Sequence, residues 1–250
     1  MKTISSTQNS QIKLIRSLSN KKARLNNRLF VVEGGNIVKD MPISYAREFF
    51  IKESELDKFL EIAESKGGEI TVVKDSIFDS ICDTVTPSGI LALCDIPSAE
   101  AISGNVVMVL DGVTDSGNIG TIIRTATAMG VKDVVCVESA DVFSPKVVRS
   151  TMGGIFHVNV INCTRAEVKE LLYGYDVLTL DMMGENVYEH RISNKSAIVV
   201  GNEAHGISDE IASIATKVLS IPMPGRNMES LNAGVSASIA LSALINNKNI

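Results

Sequence analysis

The sequence predicts an α/β protein of two domains, the second of them built on a parallel sheet. Three observations lead to this fold class. Short apolar strands alternate with amphipathic helices along the 250 residues, of which 45% are hydrophobic. The strands of the second half are almost continuously apolar, as in parallel sheets covered by helices on both faces. A stretch rich in Pro, Ser, Gly and Asn at 95–105 separates the halves, so we expect domains at 1–97 and 105–250.

The first predicted domain is small and mixes helices with strands. Its first helix has Ile12, Ile15 and Leu18 at helical spacing, and a later one starts from Ser54 as N-cap and stops at the Gly67-Gly68 pair. The predicted elements are, in chain order, a helix at 11–18, a strand at 30–32, a helix at 54–66, a strand at 70–73, a short helix at 75–81 and a strand at 90–94.

The second predicted domain alternates more regularly. Its first helix carries an apolar face with Ile119, Ile122, Ile123 and Ala126, and Gly130 follows as the C-terminal cap. Strands are predicted at 106–110, 134–137, 157–161, 177–180, 197–200 and 218–220. Helices are predicted at 119–129, 145–152, 165–173, 208–215 and 229–246.

Charge is distributed unevenly along the chain. The net charge is −5, yet all 29 acidic residues lie beyond residue 30, so every charged side chain among the first 30 residues is basic. Two interpretations fit this block: an arm that binds a polyanion such as RNA, or a solvated basic helix at a chain end. The basic side chains that we expect to contact RNA are Lys13, Arg16, Lys21, Lys22, Arg24 and Arg28.

Several protein classes are excluded by the composition. Uninterrupted apolar stretches such as 106–110 are far shorter than the roughly 20 residues that cross a bilayer, and the first ten residues lack the apolar core of a secretory signal. The four cysteines lie far apart, and with only three histidines no metal-ligand spacing appears. We therefore expect a soluble cytoplasmic protein with reduced thiols, no metal and no membrane partner.

Three glycine-rich loops follow predicted strands, at 111–120, 201–208 and 221–232, where ligands bind in open α/β sheets. They match no familiar nucleotide signature. G-x-G-x-x-G is absent, and although Gly201 and Gly206 have P-loop spacing, Ile207 stands where the phosphate-binding lysine belongs. No G-x-S-x-G surrounds a serine, which argues against a hydrolase elbow.

Taken together, the three loops resemble the three motifs of the SpoU (TrmH) family of RNA ribose 2′-O-methyltransferases. They read Asn118-Ile119-Gly120 with Arg124-Thr125-Ala126, then Val200-Gly201-Asn202-Glu203-Ala204-His205-Gly206-Ile207, then Ile221-Pro222-Met223 with Glu229-Ser230-Leu231-Asn232. The segment 148–156 resembles the family's link between its first two motifs, and 30–34 with 84–89 resemble the ribosomal-protein-like N-terminal domain of longer members. The chain departs from the family's pattern at Ala233-Gly234, where Val-Ser-Val-Ala is common. Its N-terminal domain is also shorter after Gly35 than that of longer members.

The resemblance implies an RNA substrate-binding domain followed by a SPOUT domain whose C-terminal chain forms a trefoil knot. It implies S-adenosylmethionine as cofactor and a homodimer built partly on the last helix. The implied cofactor-binding residues are Thr179, Leu180, Gly201, Ile221, Met223 and Leu231, of which the apolar ones suit the flat slot that adenine needs. The implied catalytic residues are Asn118, Arg124, Glu203, Ser230 and Asn232.

Arg124 is the implied base, with Glu203 next in line. An arginine keeps its proton in proteins, which equally fits a role in binding the adjacent phosphate and orienting the hydroxyl. Each residue also has a purely structural interpretation. Asn118 would cap the 119–129 helix, Arg124 would be an ordinary surface residue, and Glu203 and Asn232 would be turn or capping residues.

The resemblance implies that the protein transfers a methyl group from S-adenosylmethionine to a ribose 2′-hydroxyl of RNA. Ribosomal RNA is the favoured substrate because a basic N-terminal region and a separate domain precede the motifs. The alternatives are a transfer RNA ribose methyltransferase, an RNA-binding module without catalysis and a nucleotide-dependent α/β enzyme. Intact Asn118, Arg124, Glu203 and Asn232 argue against loss of catalysis.

Overall fold

A computed structural model describes residues 1–99, 101–225 and 230–247. The chain forms two compact units. The first comprises Met1–Ser98 together with Phe143–Phe156, and the second comprises Ala99–Val142 together with His157–Ile250. The segment that begins at Phe143 thus groups with the N-terminal residues, although it lies within the second half of the sequence. None of the described helices is both long and apolar enough to cross a membrane.

The first unit is built on a five-stranded mixed sheet. Its elements in chain order are β1 (Lys2–Ile4), α1 (Ser10–Ser17), α2 (Lys21–Asn27), β2 (Leu29–Glu33), α3 (Gly35–Asp40), β3 (Ala46–Lys52), α4 (Leu56–Ser65), β4 (Glu69–Val73), α5 (Asp75–Asp79) and β5 (Ile90–Asp95). The strand order is β1-β4-β3-β5-β2, with β4 parallel to β1 and β3, and β5 antiparallel to β2 and β3. The strands β1 and β3 and the helices α2 and α3 were not predicted.

The basic N-terminal region is an integral part of this unit and not an appended arm. Strand β1 pairs with β4, and α1 buries Ile12 and Ile15 completely or nearly so, with Leu18 directly after the helix. These three side chains join a core that includes Phe50 and Phe78. The amphipathic helix expected here is therefore present, but its apolar face is covered by the sheet.

The second unit confirms the predicted parallel sheet. Its six strands are all parallel, in the order β11-β9-β10-β6-β7-β8. The elements that follow β5 are β6 (Val106–Asp111), α6 (Ser116–Ala128), β7 (Asp133–Val137), α7 (Pro145–Ser150, in the first unit), β8 (Asn159–Cys163), α8 (Arg165–Leu171), β9 (Asp176–Asn186), β10 (Ser196–Val200), α9 (Asp209–Ala212), β11 (Lys217–Ser220) and α10 (Ala233–Asn247). Its core is rich in valine and isoleucine, because both faces of the sheet are covered.

Two predicted boundaries differ at the site. Helix α6 begins three residues earlier than predicted, because Asp115 is the N-cap and its carboxylate accepts the Asn118 backbone N–H at 2.8 Å. The interpretation of Asn118 as the capping residue is therefore wrong. The described part of the last helix begins at Ala233, while Glu229, its predicted start, lies outside the described residues.

Candidate active site

A cavity of about 420 Å³ opens at the carboxyl ends of β10 and β11 and beside the middle of β9. It brings together residues from these three strands and from the chain that leads into α10. Among the residues expected to bind cofactor, the cavity is lined by Leu180, Gly201, Ile221, Met223 and Leu231. Among those expected to act in catalysis, it is lined by Glu203, Ser230 and Asn232. Residues more than 50 positions apart in the sequence thus share one cavity.

Thr179 is placed differently from its neighbours. Its side chain is buried within β9, and its hydroxyl donates to the Lys217 carbonyl at 3.4 Å, so it supports the sheet behind the cavity instead of lining it. Asp181 and Met182, which follow Leu180 in the same strand, do line the cavity and were not predicted as site residues. The strand continues past these residues, whereas the apolar pattern suggested an end at Leu180.

The loop after β10 is held in one conformation by its own backbone. Asn202 and Gly206 form an antiparallel bridge with both N–H···O distances at 2.9 Å. A Cβ added to Gly201 would lie 2.3 Å from the Gly206 carbonyl carbon, so only glycine permits this approach. The Asn202 side chain accepts the backbone N–H groups of Ala204 and His205 and donates to the Gly112 carbonyl at 2.7 Å. The result is a rigid turn that forms one wall of the cavity.

Glu203 projects from this turn to the N-terminus of α6. Its carboxylate accepts the Asn118 side-chain amide at 2.8 Å and the backbone N–H groups of Thr114 and Asp115 at 3.4 and 3.3 Å. Partial burial alone would raise the pKa of Glu203, but these hydrogen bonds outweigh it and lower the pKa below its ordinary value. A carboxylate with a low pKa and occupied acceptors is a poor proton acceptor, which favours an organising role for Glu203 over that of a base.

Asp111, the last residue of β6, binds the C-terminal end of the loop that follows β10. Its side chain is fully buried, and one oxygen accepts the Ser208 backbone N–H at 2.6 Å. The other oxygen faces the Arg165 Nε at 3.6 Å, and Arg165 also pairs with Glu138 at 2.7 Å. Asp111 was not among the predicted site residues, because nothing in the sequence shows a contact between residues 97 positions apart.

The start of α10 closes the cavity. The Asn232 side-chain oxygen accepts the Val235 backbone N–H at 3.2 Å, so Asn232 caps this helix as well as lining the cavity. A Cβ at Gly234 would lie 3.2 Å from the Asn118 Cα and 3.3 Å from the Asn232 side-chain oxygen. Glycine at 234 therefore lets the start of α10 lie close to α6 at Asn118.

Arg124 lies outside the cavity of its own chain. It is exposed on α6, does not line the cavity, and has no hydrogen bond or ion pair among the described residues. Its neighbours Ile122 and Ile123 are buried, so the side chain faces away from the sheet. The structure thus brings four of the five predicted catalytic residues together, since Asn118 reaches Glu203, and leaves Arg124 apart.

The predicted RNA-binding residues fall into two groups. Lys13, Lys21 and Lys22 are exposed and make no side-chain hydrogen bond or ion pair with the described residues. The arginines are engaged: Arg16 donates to Ser80 Oγ at 2.6 Å, and Arg28 donates to Ile96 O and Ser98 Oγ. Arg24 is only 3% exposed and donates to the Leu18 carbonyl at 2.6 Å, so it stabilises the turn between α1 and α2 and offers no charge to RNA.

The cavity suits S-adenosylmethionine in its chemistry. Val200, Leu219 and Ile221 give it apolar walls for a flat adenine, and the narrow turn at Gly201 exposes backbone groups beside them. Asp181 and Glu203 add carboxylates that complement a sulfonium and an ammonium group. Among the described residues, no group of three or more His, Cys, Asp or Glu side chains could hold a metal ion.

Comparison with known families matches both halves of the chain. The model of the SpoU rRNA Methylase family matches residues 105–242, and that of the MRM3-like substrate binding domain matches residues 9–92. The first match contains all three of the motif loops and the whole cavity.

Individual relatives match over most of the chain or nearly all of it. The 23S rRNA (guanosine(2553)-2′-O)-methyltransferase RlmP of Bacillus subtilis (strain 168) is 31% identical over 96% of this chain and 97% of its own. A 23S rRNA (adenosine(1067)-2′-O)-methyltransferase of Streptomyces laurentii is 31% identical over 73% of this chain and 71% of its own. The crystal structure of an AdoMet-bound rRNA methyltransferase from Sinorhizobium meliloti superposes with a TM-score of 0.84, at 26% identity, and covers 97% of this chain and 96% of the other.

Proposed function

The chain belongs to the SpoU rRNA methylase family, and we propose that it transfers the methyl group of S-adenosylmethionine to a ribose 2′-hydroxyl of 23S ribosomal RNA. One observation carries this proposal: the second and third motif loops meet around a single cavity with the chemistry of the cofactor, and the first loop joins them through the hydrogen bond from Asn118 to Glu203. Ribosomal RNA is favoured over transfer RNA because the relative that matches over nearly its full length, and a second that matches over about 73% of this chain, act on 23S rRNA by name.

The protein's task in this reaction is alignment. S-adenosylmethionine supplies an already activated methyl group, so the chain must orient the ribose hydroxyl and help to remove its weakly acidic proton. Glu203 holds Asn118 and the N-terminus of α6 beside the cavity, and Ser230 and Asn232 present polar groups at its opening. We assign these four residues to positioning the reacting groups, and Gly201, Ile221, Met223 and Leu231 to the adenosine.

Methylation mapping tests the assignment. We expect one ribose methyl group in 23S ribosomal RNA to disappear from cells that lack this protein, while base methylations and transfer RNA modifications persist. Purified full-length protein should restore that methyl group on RNA from the deficient cells when S-adenosylmethionine is present. An unchanged methylation pattern in all stable RNAs, or a restored methyl group on transfer RNA only, would contradict the proposal.

We also propose a homodimer in which each Arg124 completes the site of the partner. Arg124 is exposed and lies outside its own cavity, so a role in catalysis needs a second chain or a bound RNA beside it. Helix α10 packs on α6, yet keeps apolar Val235 43% exposed on its outer side. A second copy of the same face would cover this residue and place two copies of α6 near each other.

Two further expectations remain proposals. The family's trefoil knot is proposed for the chain that passes from β11 through the third motif into α10. A cytoplasmic location is proposed because ribosomal RNA is the expected substrate, and the four cysteines of the chain are free thiols.

RNA binding by the first unit is expected to depend on three lysines. Because α1 belongs to the core, deletion of the N-terminal residues would unfold the unit, so substitutions that keep the fold are the appropriate test. In the combined variant Lys13→Gln, Lys21→Gln, Lys22→Gln, we expect the slope of log affinity against log salt to fall by roughly 2 to 3, at about 0.7–0.9 per lost phosphate contact. Filter binding of 23S rRNA fragments at several salt concentrations measures this slope.

A matched control removes three exposed lysines elsewhere in the unit, Lys39, Lys58 and Lys74. It changes the net charge equally and should leave the slope almost unchanged if RNA lies along α1 and α2. Equal losses in both triple variants would show that the lysines act only through total charge.

A further inference from the structure

The first unit contains a second cavity, of about 200 Å³, that has no part in the proposed methyl transfer. It lies between α1, β2 and the turn after α5, and it shares no residue with the cavity of the second unit. Its walls are apolar and buried, formed by Ile15, Leu18, Val31 and Ile81. Cavities that hold drug-sized ligands measure roughly 300–1,000 Å³, so this one suits a smaller flat group.

Glu33 gives this apolar cavity a buried acceptor. The side chain of Glu33 is only 7% exposed, and its carboxylate accepts the backbone N–H of Asp83 at 3.1 Å and the Thr84 hydroxyl and lies 4.0 Å from Arg149 Nη1. A carboxylate has about four acceptor positions, so capacity remains for further donors. A buried carboxylate is costly unless its acceptors are used, which makes Glu33 a strong attachment point for a ligand with N–H groups.

The rim adds a second acceptor and a cation. Asp83 accepts the Arg149 guanidinium at 3.0 Å through one oxygen, and its other oxygen has no partner among the described residues. Arg16 also lines the cavity; its guanidinium donates to Ser80 Oγ at 2.6 Å, and the residue is exposed. The cavity thus combines apolar walls, N–H acceptors and a positive charge at its mouth.

These features match a nucleotide better than other small ligands. A nucleobase is flat and apolar on its faces, carries polar groups on its edge and is attached to a phosphate that an arginine can bind. Guanine presents two adjacent N–H donors, from N1 and N2, and so suits paired carboxylate acceptors. Uracil presents one N–H between two carbonyl oxygens, which carboxylates would repel.

We propose that this cavity is a specificity site that receives an unstacked guanine of the RNA substrate, with Glu33 and Asp83 on the base edge and Arg16 at its phosphate. The inference rests on the proposed function, because it takes RNA as the substrate. Sequence-specific recognition of RNA works mainly on bases that leave the stack, and such a site would fix which RNA the first unit binds. The matched substrate binding domain, residues 9–92, contains every cavity residue except Pro145.

The direct test uses nucleoside monophosphates as probes. Full-length protein, saturated with S-adenosylhomocysteine to occupy the other cavity, is titrated with GMP, AMP, CMP or UMP to roughly 10 mM, where millimolar affinities register. The methyl resonances of Ile15, Val31 and Ile81 are followed by NMR. We expect GMP to shift them and to bind about tenfold more tightly than UMP, on the scale of one bidentate base contact. No shift with any nucleotide, or equal shifts with GMP and UMP, would overturn the proposal.

A pair of serine variants separates the cavity from the helix surface. Ser19 and Ser17 are both exposed, and each hydroxyl donates to the carbonyl three residues earlier, but only Ser19 lines the cavity. Ser19→Leu should fill the opening, abolish the GMP shifts and raise the KM for RNA about tenfold with kcat unchanged. Ser17→Leu should leave both the GMP shifts and the KM at the values of the parent protein.

The variants also separate this inference from the proposed function. If the parent protein methylates RNA and Ser19→Leu has the same KM, the specificity site is wrong while the methyltransferase assignment stands. If the parent protein methylates no RNA, the proposed function fails, whatever the nucleotides do. A GMP complex that forms while Ser19→Leu leaves the KM for RNA unchanged would identify a site for free nucleotides and overturn the role in RNA selection.

Discussion

Replacing Arg124 with alanine is expected to lower single-turnover methyl transfer by roughly two to four orders of magnitude, the range for groups that assist proton transfer. Arg124 is exposed and its removal takes no volume from the core, so the free energy of unfolding should change by only about 0.5 kcal/mol. Affinity for S-adenosylhomocysteine should stay the same, because Arg124 does not line the cofactor cavity. Labelled methyl transfer, calorimetry and thermal melting measure the three quantities.

Arg124→Lys distinguishes charge from shape. Lysine keeps the positive charge but lacks the planar fork that binds a phosphate and a second acceptor together, so we expect little recovery of activity. Near-normal turnover in a folded Arg124→Ala protein would remove Arg124 from the mechanism. The base role would not pass to Glu203, since its carboxylate already accepts the Asn118 amide and the backbone N–H groups of Thr114 and Asp115 and has a lowered pKa.

Mixed dimers test where Arg124 acts. Arg124→Ala and Asn232→Ala chains, each inactive alone, are purified as a mixed dimer with two different tags. If Arg124 serves the partner's cavity, one of the two sites then contains both an intact Arg124 and an intact Asn232, and roughly half of the parent activity should return. If Arg124 serves its own cavity, both sites are damaged and no activity returns.

The sequence was most informative where function depends on short segments. Glycine and polar residues directly after apolar strands marked the three loops, and the rule that ligands bind at strand ends placed Gly201, Ile221 and Leu231 at one site. The strands themselves were predictable because a parallel sheet covered on both faces needs nearly continuous apolar residues. Local composition therefore determined most of the second unit.

Long-range contacts set the limit of that prediction. Strand β3 begins with Ala-Arg-Glu and has a polar appearance, but Glu48 is buried because Gln11 and Thr71 donate to its carboxylate. Arg24 looked like an RNA contact and is instead buried against the Leu18 carbonyl. Ser208, which donates to Asp111, lies 97 positions away, and Asn118, which donates to Glu203, lies 85 positions away; no spacing rule reaches that far.

Replacing Gly201 with alanine is expected to abolish cofactor binding, with an affinity for S-adenosylhomocysteine at least about 100-fold weaker, equivalent to roughly 2.7 kcal/mol. The new methyl group would lie 2.3–2.7 Å from the carbonyl of Gly206 and the backbone nitrogen of Ile207. Backbone atoms cannot rotate away as a side chain can, so the turn must open and the Asn202–Gly206 bridge must break. Calorimetry with the full-length protein measures the loss.

The control for this variant is Gly174→Ala, because it separates strain from the shape of the site. Gly174 has a φ of 83° but no atom within 4 Å of an added Cβ, so alanine there costs backbone strain without a clash. We expect it to lower the melting temperature and to leave cofactor affinity unchanged. Gly201→Ala should mainly abolish cofactor binding. Its cost in folding free energy should be about 1–3 kcal/mol, from overpacking within this one loop. Tight binding by a folded Gly201→Ala protein would mean that the turn is not the wall on which the adenosine rests, and the cofactor would then have to depend on Ile221, Met223 and Leu231 alone.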